Sequence, residues 1–183
     1  MIKQFLNRVI PGTPQQLLTG DSWDSSRLRV DVGQTGFWEG REFRLDLDLT
    51  ADYVAEFTSP VNFILQSQSL LSNNGISTLD VYLSTQGAAS GVFGDDLGVL
   101  PNNGMTDAPT YTPAISVLGG GTFVPNANEK PRESIKVKAA TSTAQRSTVG
   151  SGAIPERGLP PGTYYLVFTG DDISYRLVYE ERP

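Results

Sequence analysis

Glu42-Phe43-Arg44-Leu45-Asp46-Leu47-Asp48-Leu49-Thr50 opens the stretch, Arg41 to Leu83, whose reading decides the fold. Phe43, Leu45, Leu47 and Leu49 alternate with Arg44, Asp46 and Asp48, the period of a strand with one apolar and one wet face. Pro60–Leu71 follows with Val61, Phe63 and Leu65 alternating against Asn62 and Gln66. Ser72-Asn73-Asn74-Gly75 has the composition of a turn, and beyond it Leu79, Val81 and Leu83 alternate with Asp80, Tyr82 and Ser84. The expectation is an antiparallel nucleus of three strands, Glu42–Thr50, Pro60–Leu71 and Ile76–Thr85, the last two joined by the Ser72–Gly75 turn.

Working outward, the same alternation recurs. Arg27–Val32, Ala114–Leu118, Thr122–Val124 and Ser134–Ala140 each read as a short strand, the last with Ile135, Val137 and Ala139 inward. Gly119-Gly120-Gly121 hands one strand to the next. Pro160-Pro161-Gly162 starts what reads as a hairpin, Tyr164–Thr169 and Ile173–Glu180 about Gly170-Asp171-Asp172. Between Gln86 and Thr112 glycines and prolines break every candidate element, and Val92, Phe93, Leu97, Val99 and Leu100 are expected to pin that stretch to the core at intervals. Eight or nine short strands separated by turn signals predict an all-β, antiparallel β-sandwich, jelly-roll-like, over residues 27–183.

Residues 1–26 form an N-terminal arm and linker in this reading. Met1–Gly20 carries Lys3 and Arg8 and has no acid before Asp21, in a chain whose formal charge is −6. Ile2, Phe5, Leu6, Val9 and Ile10 share one helical face, yet ten residues are too few to hold a helix alone, and Val9-Ile10-Pro11 favours an extended course. Both courses stay open, as does a first strand closing the domain's own sheet. The functional reading is an arm laid on a neighbouring subunit. Deletion of residues 1–20 should then leave the sandwich folded and weaken assembly. Phe37 and Trp38, adjacent aromatics at the tip of the Gly33–Gly40 loop, are expected to divide into a core plug and an interface contact.

Composition narrows the chemistry. A chain of 183 residues suits one domain able to bury roughly 68–70% of its unfolded surface. It contains neither cysteine nor histidine, which removes thiolate metal sites, His-dependent triads and the usual general base near neutral pH. The negative charge disfavours nucleic-acid binding. No apolar run approaches the ~20 residues needed to cross a bilayer, and Met1–Ile10 is expected to be an ordinary start rather than a signal peptide. Asp46 and Asp48 point to one face of their strand, as a glycosidase pair would, but a solvated face balanced by Arg44 or a cross-strand lysine is the plainer reading. Asp95-Asp96 and Asp171-Asp172 follow glycines and read as turns rather than calcium ligands. Lys136 and Lys138, with Lys130, Arg132 and Arg146, read as a solvated strand edge guarded against further pairing. No catalytic residue, metal ligand or cofactor is expected.

Five stretches share a further likeness: Gly36-Phe37-Trp38-Glu39-Gly40-Arg41-Glu42-Phe43, Asn102-Asn103-Gly104-Met105 before Pro109-Thr110-Tyr111, Gly120-Gly121-Thr122-Phe123, Arg157–Leu166, and Glu180-Glu181-Arg182-Pro183. Together they resemble small virion structural proteins of tailed bacteriophages. The resemblance implies a non-enzymatic, β-rich component of the particle, made in the host cytoplasm and residing in the virion, and transfers no catalytic residue. A capsid decoration or cement protein on the outer surface is the expectation, because an acidic chain would be repelled from a DNA-filled interior. Its partners would be the major capsid protein or another virion protein, and further copies of itself as a homo-oligomer such as a trimer. The alternatives are a neck, tail or fibre component, or a glycan-binding β-sandwich module using exposed tyrosines near Pro161-Gly162-Thr163-Tyr164-Tyr165.

Overall fold

The computed structural model describes residues 35–104, 111–138, 147–149 and 157–183. The arm with Ile2, Phe5, Leu6, Val9 and Ile10, the Arg27–Val32 strand, the boundary expected between Ser26 and Arg27, and Ala139 lie outside the described residues.

Two strands dominate the sheet: β3, Asn62–Leu83, and β12, Gly162–Arg182. They pair antiparallel along nearly their whole lengths, from Arg182 opposite Asn62 to Tyr164 opposite Leu83. Two expected hairpin turns are therefore not turns. Ser72–Gly75 and Gly170–Asp172 lie inside continuous strands and face each other across the ladder, with Asp171 opposite Asn74 and Asn73 Nδ2 donating to Asp172 Oδ1 at 3.2 Å. The register slips there, so that Gly75, Ile76 and Ser77 bulge against Gly170 alone. Residues that tolerate positive φ serve a bulge as readily as a tight turn, and only the distant pairing partner decides between them. Gly170 has φ 130°, and a Cβ there would stand 2.8 Å from the Ile76 carbonyl oxygen, so no other residue fits.

The remaining strands line this ribbon. β1, Glu42–Leu49, pairs with the second half of β12, and β2, Tyr53–Ser59, with the first half. β1 thus never touches β3 in the ladder, and β12 replaces it in the expected three-stranded nucleus. β2 has no counterpart among the expected strands, although its buried Ala55 and Phe57 alternate with half-exposed Glu56 and Thr58. Along the other edge of β3 lie β9, Glu133–Lys138, β10, Ser147–Val149, and β11, Arg157–Leu159. Beyond β2 come β7, Ser116–Gly119, and β5, Asp95–Asp96, while β6, Leu100–Pro101, extends β1. A separate ribbon pairs β4, Gly87–Ser90, with β8, Thr122–Pro125.

Bulged at its middle, the sheet curls so that its halves face each other as the two leaves of a sandwich, the first holding residues 62–72 and 173–182 with β1, the second residues 78–83 and 162–169 with β2. Aromatic contacts between the halves fix this. Phe57 of β2 lies 5.2 Å from Phe63 and 5.4 Å from Tyr179, and Phe168 meets Tyr175 across the bulge at 5.0 Å. Burying each such side chain is worth about 1.5–3 kcal/mol, which is why Phe43, Leu45, Phe57, Leu79, Phe168 and Leu177 turn inward. The all-β, antiparallel sandwich is thus the architecture, with long ribbons rolled over in the manner of a jelly roll. A smaller cluster of Tyr82, Phe123 and Tyr165 occupies the outer side of the second leaf beneath β4 and β8. Phe93 packs into it, and Leu97 and Val99 pack on the main core. Val92 and Leu100, expected as pins of the same stretch, are exposed instead.

Candidate functional site

At one end of the first leaf the chain passes from a single helical turn, α1, Thr35–Trp38, into β1. Phe37 is half-buried and Trp38 is 55% exposed, their rings meeting edge to face at 5.2 Å. Neither is the core plug the sequence suggested; the turn ends before β1 and both aromatics stay at the rim. What holds this turn is a set of polar contacts the sequence reading did not single out. Arg41 N–H donates to the Gly36 carbonyl at 2.8 Å, and Asn103 Nδ2 donates to the Phe37 carbonyl at 3.0 Å. Gly36 rests directly on Glu180: a Cβ there would fall 2.1 Å from the Glu180 carboxyl carbon.

Beneath the turn lie three buried glutamates, Glu42, Glu180 and Glu181. Successive residues of a strand face opposite ways, so the two neighbours on β12 do separate work. Glu181 accepts from the backbone N–H of Ala114 and Ile115 at 3.0 Å, fixing the chain that enters β7. Glu180 is paired with Arg182, whose Nε stands 2.8 Å from Oε1, and accepts from Gln66 Nε2 at 3.1 Å, with Arg41 3.9 Å away. Glu42 accepts from Asn102 Nδ2, while its carbonyl accepts from Asn102 N–H at 2.9 Å. Burial pushes the Glu42 carboxyl above the usual range against the Asn102 hydrogen bond, and the Glu180 charge pushes it further. Burial likewise raises Glu180, against its arginine partners and Gln66. Arg41 closes the knot by donating to the Glu181 carbonyl at 2.8 Å and to Glu39.

This corner draws together three of the sequence stretches singled out above, Gly36–Phe43, Asn102–Gly104 and Glu180–Arg182. The available signal was Glu180-Glu181, adjacent carboxylates that interrupt the apolar alternation of β12. Chemically the corner is a clamp. Its carboxylates are engaged by backbone, amide or guanidinium groups, and what it presents outward is Trp38.

The other candidates fall elsewhere. Asp46 and Asp48 are exposed on the outer face of β1; Asp46 accepts from Arg176 Nε at 2.5 Å with Arg44 at 3.5 Å, and Asp48 accepts from Ser174 at 2.7 Å. Arg44 is the expected partner, and the cross-strand cation is an arginine rather than a lysine. Asp96 caps the Gly98 N–H at 3.0 Å in a local turn, and Asp171 and Asp172 sit at the bulge. Among the described residues no group of three acidic side chains is arranged to hold a metal ion. Lys136 and Lys138 are exposed on β9, which in the described residues pairs only with β3, and Arg157 bridges Glu133 at 3.0 Å. None of the seven tyrosines is exposed, and Tyr164 and Tyr165 are both buried, which removes the surface tyrosines a glycan reading relied on. No protein-family model, no curated protein and no solved structure matches the chain.

Proposed function

We propose that the chain is a non-enzymatic structural component of a tailed-phage virion, docked on the outer capsid surface as a decoration or cement protein. The observation that carries the reading is Trp38, a large aromatic held at the surface on a turn that is tied down through Gly36, Phe37 and Arg41. Tryptophan on a rigid mount is the side chain most often found at the energetic centre of an interface, because it brings area with little ordering entropy. The engaged carboxylates of the corner and of β1 suit a scaffold better than acid–base chemistry, which needs a proton-transfer group free to reach its substrate. The arm residues Ile2, Phe5, Leu6, Val9 and Ile10 belong to the same reading as a second contact, toward a neighbouring copy or the capsid protein.

Co-sedimentation of the purified chain with intact capsids tests it. The wild-type chain should travel with the capsids, and Trp38→Ala should bind at least about tenfold more weakly while unfolding at the wild-type temperature. Binding to tails alone would favour a neck, tail or fibre component, and binding to neither would remove the virion reading.

A further inference from the structure

A cavity of about 190 Å³ lies inside the sandwich beside β11. Phe57, Phe63, Leu65, Val81, Leu166 and Leu177 make it mostly apolar. Exposed Arg157 and Gly158 mark its side toward solvent, and Gly158 leaves open space where a side chain would stand. The charged side chains of Arg132, Glu133 and Arg157 also line it, and two buried polar side chains, Gln68 and Tyr175, pair with each other in its wall. Gln68, only 3% exposed, donates through Nε2 to the Tyr175 hydroxyl at 3.0 Å, and its Oε1 has no hydrogen-bond partner among the described residues. Tyr175, accepting from Gln68, still has its own proton to give.

An unpaired buried amide oxygen is costly enough that such groups are rare unless something completes them. An apolar cavity of about 150 Å³ takes up benzene, so this one has room for a single ring with a polar substituent. A hydroxyl both donates and accepts, and therefore serves the Gln68–Tyr175 pair whichever way the amide is turned. We propose that this cavity is a binding site for a small monocyclic molecule bearing one hydroxyl, of phenol or cyclohexanol size, with the ring among the apolar walls and the hydroxyl on Gln68 and Tyr175. Burial raises the Tyr175 pKa far above its ordinary value, so its proton remains available across the physiological range.

Calorimetric titration of the full chain with p-cresol and with toluene tests this. The wild-type chain should bind p-cresol saturably and about tenfold more tightly than toluene, since only p-cresol completes the hydrogen bond. Gln68→Leu should bring the two ligands to within about twofold of each other. Val81→Phe, which places a ring in the cavity from a partly buried position, should abolish binding of both, with near-ultraviolet circular dichroism confirming that each variant is folded. No saturable p-cresol binding to the wild type, a preference for toluene, or a p-cresol preference that survives Gln68→Leu would each overturn the proposal.

Discussion

Glu181 is buried at the end of a strand, yet it earns its place through two backbone N–H groups that β7 leaves without a ladder partner at its entry. Removing an acceptor from buried donors costs their full desolvation, which exceeds the value of an ordinary hydrogen bond. Glu181→Ala is therefore expected to lose about 3 kcal/mol in urea unfolding, and Glu181→Gln, which keeps an acceptor, less than half of that. Equal losses in the two variants would place the cost in packing instead. Glu42 behaves differently, because its folded pKa is raised by burial despite the Asn102 hydrogen bond. A raised folded value means the folded state holds the proton more tightly than the unfolded state. The resulting contribution to stability is complete below the unfolded value near 4.5 and is lost as pH rises through the folded value. Glu42→Gln keeps the acceptor for Asn102 without the titration. Its unfolding midpoint should gain on the wild type as pH is raised from about 4.5; parallel curves would contradict the assignment.

Among elements, the bulge shared by β3 and β12 is the one on which the sandwich turns. Gly170 combines φ 130° with a backbone oxygen 2.8 Å from any Cβ, whereas Gly75 has φ 71° and open space around it. Gly170→Ala should cost about 3 kcal/mol and Gly75→Ala about 1 kcal/mol in thermal unfolding, because Gly170 adds both a less accessible φ and the close approach of a backbone oxygen. Equal costs would mean the bulge relaxes around the added methyl. The same element explains what the sequence could convey. The inward faces of β1, β9 and the second half of β12 were legible, because alternation is a local property written at Phe43, Leu45, Val137, Ile173 and Tyr175. The joining of halves into two long strands was not, because Asn74-Gly75 and Gly170-Asp171 look alike in a hairpin and in a bulge. Pairing of β1 with β12 is a contact across more than a hundred residues, which no local pattern records. The Trp38 corner was half legible: Phe37 and Trp38 stood out as a pair of which one would face outward, but Glu42, Asn102 and Glu181 become a clamp only after the register of β12 brings them together. Gln68 was illegible for the same reason, since Tyr175 is its partner only across the β3–β12 ladder.

For the whole molecule, the curled sheet supplies a core tied across its two leaves by Phe57, Phe63, Tyr164 and Tyr179, and the corner at α1 offers a fixed aromatic at its rim. The proposed role as a particle component would call for that combination, because repeated copies must hold one geometry against their neighbours. The account predicts that Trp38→Ala keeps the fold and weakens assembly, and that variants at the bulge do the reverse, lowering stability with little effect on the affinity of the fraction that remains folded. The most direct measurement of the proposed function is a cryo-electron microscopy map of the virion encoded alongside this chain. Density for the sandwich repeating over the outer capsid faces, with the α1 corner turned toward a neighbouring subunit, is the predicted result. Density confined to the tail, or a corner facing solvent in every copy, would contradict it.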